Sequence, residues 1–527
     1  MGRSRRYRER IQYEMQSVRT KGILHHLVQI LHTEFGKSPI EAEVLAARST
    51  QWLRFLGVSQ LPGQVWMSVP STTSKRYAGT RRCQVLITAV DTEEDTRIWE
   101  EFDLSTLQVH RLLRWISEAR RQGGWAALKD LAAWANMTPT ALANRLKPIR
   151  DLGIYLPHVG SSSAEEGQRH LEPWLVKRYL NDESIESIRP VLGLTISGWE
   201  QILRRFAAVC EQHRAGETLE GIARAVGLCV EEVQELVDMG SQYSNSSSLE
   251  HLRSSYGQQE PSDASVAIDA ELIEEFGFSR VAARLYREEL GRLSTRLSGR
   301  RLQTGRTVFF AISSDEGAAA RLDEARLVPV ELTFFDDSDR ARGPEGDSPT
   351  RVSDLKFGRI LRYATQARAQ GGLLTLPDLA ILNGIHVDAI RRQVKAHPEV
   401  VVPTRGRVKD IGRSVSHKVD IVELYLQMYT ETEIVDRIGH SYTSVEEYLR
   451  EFARVLTLAD RGMNAVMIRR VTGRSMALVQ AYMDLYRRYD EPDYHFRLAQ
   501  IRRVFTREEE AEQKRGPTYF HTEDGLP

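Results

Sequence analysis

The sequence predicts a mainly α protein with short β sections, written as a tandem duplication of one module. Three observations carry this. Segments recur along the 527 residues at an offset that stays between 241 and 248. Apolar residues repeat every three or four positions through most of each copy, the period of an amphipathic helix. Short β-branched and aromatic runs bounded by turn residues stand near the start of each copy, as strands would.

The elements follow in chain order. Residues 1–29 form a basic arm; "MGRSRRYRERIQYEM" has no apolar stretch behind it, so no secretory signal is expected. The first copy opens with an α+β section over 30–110. There "EFGKS" (34–38) leads into a helix near 38–57, and "CQVLITAV" (83–90) reads as a strand. The second copy opens likewise over 270–350, with "EFGFS" (275–279) and a helix near 278–299. Strands are expected in its "TVFFAIS" (307–313) and "LVPVELTFF" (327–335). "LPGQVWMSV" (61–69) returns loosely as "LQTGRTVFFAI" (302–312).

A winged-helix-like unit is expected over 111–168 and again over 351–415. "LRWISEARRQGGWAALKDLA" (113–132) returns there as "LRYATQARAQGGLLTLPDLA" (361–380). Tandem helix-turn-helix units fill 169–243 and 416–489. Between the copies, 244–269 is rich in Ser and Gln and reads as a flexible linker. Residues 490–527 read as a charged tail.

A helix-turn-helix needs a small residue where its helices cross and a left-handed turn residue four positions later. "LKDLAAWANMTPTALANRLK" (128–147) supplies Ala132 and Asn136, and "LPDLAILNGIHVDAIRRQVK" (376–395) supplies Ala380 and Gly384. A second unit in each copy turns at Gly193 and Gly439, and a third at Gly227 and Gly473.

Charge on the second helix separates DNA readers from scaffolding, because that helix must lie against phosphates and base edges. Glu231, Glu232 and Glu235 in one unit, and Glu446 and Glu447 in another, point to protein contacts. The first unit of each copy instead carries donors: Thr138, Thr140, Asn144, Arg145 and Lys147, then His386, Arg391, Arg392 and Lys395. After the latter, "EVVVPT" (399–404) reads as a strand, and "RGRVKDIGRSVSHK" (405–418) as a basic wing. Its Arg405, Arg407, Lys409, Arg413 and Lys418 would lie along phosphates. Residues 351–420 hold 13 basic against 6 acidic residues, and 105–174 hold 9 against 6. The second copy is therefore expected to dominate DNA contact.

The stretch "RGRVKDIGRSVSHK", with "IVELYL", "EIVDRIGHSYTSVEEYLREFARV" and "RRVTGRSMALVQAYMDLY" after it, resembles the prokaryotic family catalogued as domain of unknown function sixteen-seventy. The resemblance covers about 270–489 and, more faintly, the first copy. It implies a protein rich in helix-turn-helix units and supplies no activity or catalytic residue.

Composition and motifs bound the chemistry. Lys and Arg number 72, as do Asp and Glu, so the chain is neutral at pH 7. Cys83, Cys210 and Cys229 lie far apart without metal-ligand spacing, which argues for a reducing compartment and against structural zinc. No run of 18 apolar residues predicts a membrane span. "EFGKS" lacks the earlier Gly of a phosphate-binding loop. "FFDDSDRARGPEGD" (334–347) reads as an acidic loop, and His25 and His26 as a solvated pair. Neither cofactor nor metal is expected.

The expected function is a cytoplasmic, nucleoid-associated, non-catalytic double-stranded DNA-binding protein. It would serve as a transcription regulator or an accessory factor of a mobile element or plasmid. The alternatives are a helical protein–protein scaffold and, behind it, a DNA recombination enzyme with an unrecognised site.

Overall fold

The computed structural model describes residues 5–56, 58–72, 81–158, 168–244, 246–256, 268–298, 303–317, 320, 325–336, 338–339, 349–409, 415–438 and 442–503. The chain divides into two compact units, Met1–Pro398 and Glu399–Pro527. It is mainly helical with small antiparallel sheets, as the periodicity requires.

The first unit begins with α1 (Arg5–Arg19) and α2 (Ile23–Thr33), then α3 (Pro39–Phe55), β1 (Gln64–Pro70), β2 (Arg82–Thr88) and α4 (Thr92–Glu101). The helical part of the first copy follows as α5 (Leu104–Arg121), α6 (Leu128–Trp134), α7 (Pro139–Asp151), α8 (Leu171–Leu180) and α9 (Arg189–Leu192). It closes with α10 (Ile196–Arg214), α11 (Leu219–Val226), α12 (Val230–Gln242) and α13 (Ser247–Tyr256). The second copy opens with α14 (Ile268–Glu274), α15 (Arg280–Ser298), β3 (Arg306–Ser313) and β4 (Leu327–Thr333). It continues with α16 (Pro349–Ala369), β5 (Gly372–Leu373), α17 (Leu376–Asn383) and α18 (Val387–Ala396). The second unit holds α19 (Arg405–Val408), α20 (Val415–Leu426), α21 (Glu431–Ile438), α22 (Tyr442–Asp460), α23 (Ala465–Thr472) and α24 (Met476–Tyr489).

Each opening section is an antiparallel hairpin, β1 with β2 and β3 with β4, and β5 adds to the free edge of β3. The hairpins are joined by two reciprocal hydrogen bonds. Gly63 donates its N–H to the carbonyl of Val308 at 2.9 Å, and Gly305 donates to that of Trp66 at 2.8 Å. Both donor and acceptor advance by 242 residues, so this is an interface of a pseudo-two-fold pair, in which i meets j and j meets i. Gly63 and Gly305 have φ of +82° and +87°. A Cβ on either would lie 1.9 Å from a carbonyl oxygen, of Val90 or of Phe335. Only glycine fits such a backbone.

The duplication extends to side chains that finish the sheets. An edge strand exposes unpaired backbone groups that need partners. Gln122 accepts from the N–H of Leu86 at 2.8 Å and donates to its carbonyl at 2.7 Å. Gln370 does the same to Glu331, at 2.8 Å each way. Across the pair, α3 and α15 bury Ala42, Leu45 and Ala46 against Ala283, Tyr286 and Leu290. The two "EFG" turns meet there, with Lys37 Nζ 4.3 Å above the Phe278 ring and donating to the Phe276 carbonyl at 2.7 Å.

A buried ion network recurs as well. Asp95 is met by Arg111 and Arg114 in the first copy, and Asp339 by Arg359 and Arg362 in the second. Burial alone would raise the Asp95 carboxyl, but the two guanidiniums hold it below the usual carboxylate range. Each leading arginine also crosses the pseudo-two-fold. Arg111 donates to the carbonyl of Ile381 at 2.8 Å, and Arg359 to that of Trp134 at 3.2 Å. The second unit has a separate core built on Ile421, Phe452, Leu456, Val479 and Tyr482.

Several sequence expectations need correction. The basic arm is α1 and α2, tied down by Lys21, whose ammonium lies 2.5 Å from Asp378 with both side chains fully buried. The linker region contains α13, which seats Leu249 and Leu252 in the core of the first copy, because those leucines are its apolar exception. β1 adds a strand to those expected, with Val65, Met67 and Val69 alternating inward. The acidic stretch is loop over 334–336, as expected, but its Asp336 and Asp339 face Arg359 and Arg362 and its Phe334 and Phe335 are buried; 337 and 340–347 lie outside the described residues. His26 packs on Phe310 at 4.8 Å and is no solvated side chain.

The wing is the largest difference. Residues 399–404 form no strand, Arg405–Val408 is a helical turn, and Val415–Leu426 is a helix. Short apolar runs are compatible with either state, and among the described residues no strand pairs with this one. Residues 159–167, the matching region of the first copy, lie outside those described. No described helix is long and apolar enough to cross a membrane. No group of three or more His, Cys, Asp or Glu among the described residues is arranged to hold a metal ion.

Candidate nucleic-acid interface

Helices stand in pairs at all six expected places, and at five of them the described residues include the short turn between the two. Asn136, Gly193, Gly227, Gly384 and Gly473 take the left-handed conformation, with φ between 55° and 71°. Gly439 lies outside the described residues.

In the first copy, α7 carries the candidate donors. Thr138 caps the helix, its hydroxyl accepting from the N–H of Ala141 at 3.1 Å. That role is local, and it is the commonest use of Thr at this position. Thr140, Asn144 and Lys147 are exposed on the same helix. Arg145 is half-buried and turns back to α5, donating to Ser105 Oγ and, at 2.8 Å, to Gln108 Oε1.

In the second copy, α18 is differently placed. His386 sits edge-on to Trp99, ring centroids 5.7 Å apart, and so packs against α4. Arg391 bonds Asp388 at 2.6 Å, with Glu14 of α1 3.7 Å away. Arg10 of α1 also reaches Asp388 at 2.6 Å, and its hydrogen bond, with that of Arg391, holds the Asp388 carboxyl low. Arg392 and Lys395 are exposed. The basic N-terminal arm thus lies beside the helix expected to read bases.

The two turns touch. The Asn136 amide donates to the carbonyl of Asn383 at 3.0 Å and accepts from Arg359 at 3.0 Å. Gln108 donates to the carbonyl of Gly384 at 2.8 Å. α7 and α18 therefore start beside one another at the pseudo-two-fold.

The basic stretch belongs to the second unit. Arg405 is buried; Arg407 and Lys409 are half-buried on and after α19. Lys418 lies 3.6 Å from the buried Glu451 and 4.6 Å above the Tyr448 ring, a packing role within α20 and α22. Arg413 lies outside the described residues.

The acidic helix α12 is engaged within the chain. Glu231 meets Arg120 at 2.7 Å, Glu232 meets Arg121 at 3.0 Å, and Glu235 meets His170 at 2.7 Å. Arg121 also holds Glu172, so these carboxylates secure α12 to α5 and α8. Glu446 and Glu447 are exposed.

Sequence reasoning missed the Asp–Arg–Arg network and Lys356, a half-buried lysine of α16. The network was visible in principle, since Asp95, Arg111 and Arg114 recur as Asp339, Arg359 and Arg362 near the repeat offset. Lys356 was not, because its counterpart is Gln108 and no motif marks it.

Residues 272–485 match the model of a family described as Protein of unknown function (DUF1670), as the resemblance of the second copy led one to expect. The match runs from α14 into α24. Neither the curated proteins nor the solved structures contain a match to this chain.

Proposed function

We propose that this chain, whose second copy carries a family model without an assigned activity, is a non-catalytic protein that binds double-stranded DNA through α7 and α18. The observation that carries the reading is the meeting of the Asn136 and Asn383 turns. It brings Asn144 and Lys147 of one copy, and Arg392 and Lys395 of the other, onto helices that begin together, and all four side chains are exposed. Exposed amides and cations on such a helix suit phosphates and base edges.

The touching turns also shape how binding works. Dimeric helix-turn-helix proteins place their reading helices about 34 Å apart, one turn of the duplex. Helices that start side by side form one continuous contact instead. The two copies then do not act as separately tethered binders.

The test is duplex binding by fluorescence anisotropy across a salt series, comparing wild type with K147A/R392A/K395A. Weaker affinity with a flatter salt dependence, by about 0.9 for each phosphate no longer neutralised, supports the reading. No duplex binding by the wild-type chain at low salt would end it.

A scaffold role keeps one supporting observation, the exposed Glu446 and Glu447 on α22. It loses α12, whose carboxylates already have partners.

A further inference from the structure

We propose that the cleft between α7 of the first copy and α16 of the second is a phosphate-binding site, with Arg145 and Lys356 as its cationic ligands. The cleft is ≈ 530 Å³, and its polar lining includes Gln108, Asn144, Arg145 and Lys356. None of its lining residues is acidic.

Two cations therefore share an acid-free cleft. The Arg145 guanidinium is held by the neutral groups of Ser105 and Gln108, which orient it without neutralising it. Lys356 has no carboxylate or hydrogen-bond partner among the described residues. Burial lowers its pKa. A part-buried charge without a partner is costly, and an anion seated between the two would relieve both. A phosphate group fits, since its several oxygens can accept from a guanidinium, an ammonium and the Asn144 amide together.

The duplication supplies an internal control. Near the repeat offset, Arg145 becomes Gln393 and Lys356 corresponds to Gln108. Gln393 still makes the same packing contact, donating to Ser353 at 2.9 Å as Arg145 does to Ser105. Gln108 serves the same place in α5 that Lys356 serves in α16. Glutamine thus satisfies the fold at both positions, and the positive charge is not a packing requirement.

The phosphate chemistry has two sources, a DNA backbone or a free phosphate-bearing molecule. The DNA source rests on the function proposed above; the free source does not. The experiment titrates the full chain with inorganic phosphate by calorimetry and with a duplex oligonucleotide over a salt series. Wild type is compared with R145Q/K356Q and with K356R. The glutamine variant should melt with the wild type, since each substitution copies the other repeat.

Its phosphate affinity should fall at least tenfold, while K356R stays within about threefold. A duplex salt slope reduced by roughly 0.9 in the glutamine variant assigns the site to a backbone phosphate. Weakened phosphate affinity with unchanged duplex binding assigns it to a free ligand. If the wild type binds no duplex, the DNA reading fails while the phosphate titration still decides the cleft. Should the double variant melt early, K356Q alone carries the comparison. Wild type without phosphate affinity, or glutamine variants that keep it, overturns the proposal.

Discussion

The side-chain amide of Asn136 donates to the backbone carbonyl of Asn383 at 3.0 Å, so the turns of two helix pairs from different copies are in contact. The same Asn136 accepts from Arg359, whose guanidinium is also held by Asp339. A left-handed residue with a side chain does here what glycine cannot. Gly384 turns the second copy, and Asn136, with φ of 55°, turns the first and bridges to it.

Asn136→Gly should keep the turn and remove the bridge. The Asn383 carbonyl would lose its buried amide donor and Arg359 one of its acceptors, while Asp339 and the Trp134 carbonyl still hold the guanidinium, at a cost of about 1–3 kcal/mol. Urea unfolding of the variant beside wild type measures it. A variant as stable as wild type would show that the bridge holds nothing.

Gly63→Ala and Gly305→Ala should each destabilise the first unit by more than about 1 kcal/mol, because φ is positive and a Cβ meets a carbonyl oxygen. Gly36→Ala, also at positive φ but with nothing within 4 Å of the added Cβ, should be milder. Thermal melts of the three variants rank them.

Lys21→Met leaves Asp378 buried and without its ammonium. Breaking a fully buried pair this way costs about 3–5 kcal/mol. Lys21→Met with Asp378→Asn should recover part of that stability, which a double-mutant cycle reads directly. Equal stability of all four proteins would refute the structural role of the α1–α2 segment.

Stability should fall as pH drops from about 6.5 to about 4. Burial, with Arg296 nearby, lowers His26 to about 4 despite Glu289. Burial, with Arg114 nearby, lowers His110 to about 4 despite Asp95. The unfolded chain binds a proton at each near pH 6.5 and the folded chain does not, so the contribution is full above 6.5 and is lost on acidification. Each histidine accounts for on the order of 3 kcal/mol across the window. Urea midpoints between pH 7.5 and 4.5 should slope upward with pH, and His26→Phe should flatten that slope.

The sequence alone determined the repeated segments, the helical character and the turn residues of the described helix pairs. Those rest on local periods and on turn residues, which a chain carries wherever its segments pack. Asn136 and Gly384 are legible because left-handed turns admit few residue types. The wing is not legible, because "EVVVPT" becomes a strand only beside another strand, and the sequence does not say where one lies.

Which surface stays free was decided by the tertiary structure. His386 packs on Trp99, Arg391 bonds Asp388 beside Glu14, Lys418 meets Glu451, and the α12 carboxylates meet arginines and a histidine. Each partner is more than sixty residues away or on another element, apart from Asp388, and charge counting along the chain cannot see it. The cleft of Arg145 and Lys356 is the converse case. Residues 211 positions apart become neighbours only when the second copy folds against the first.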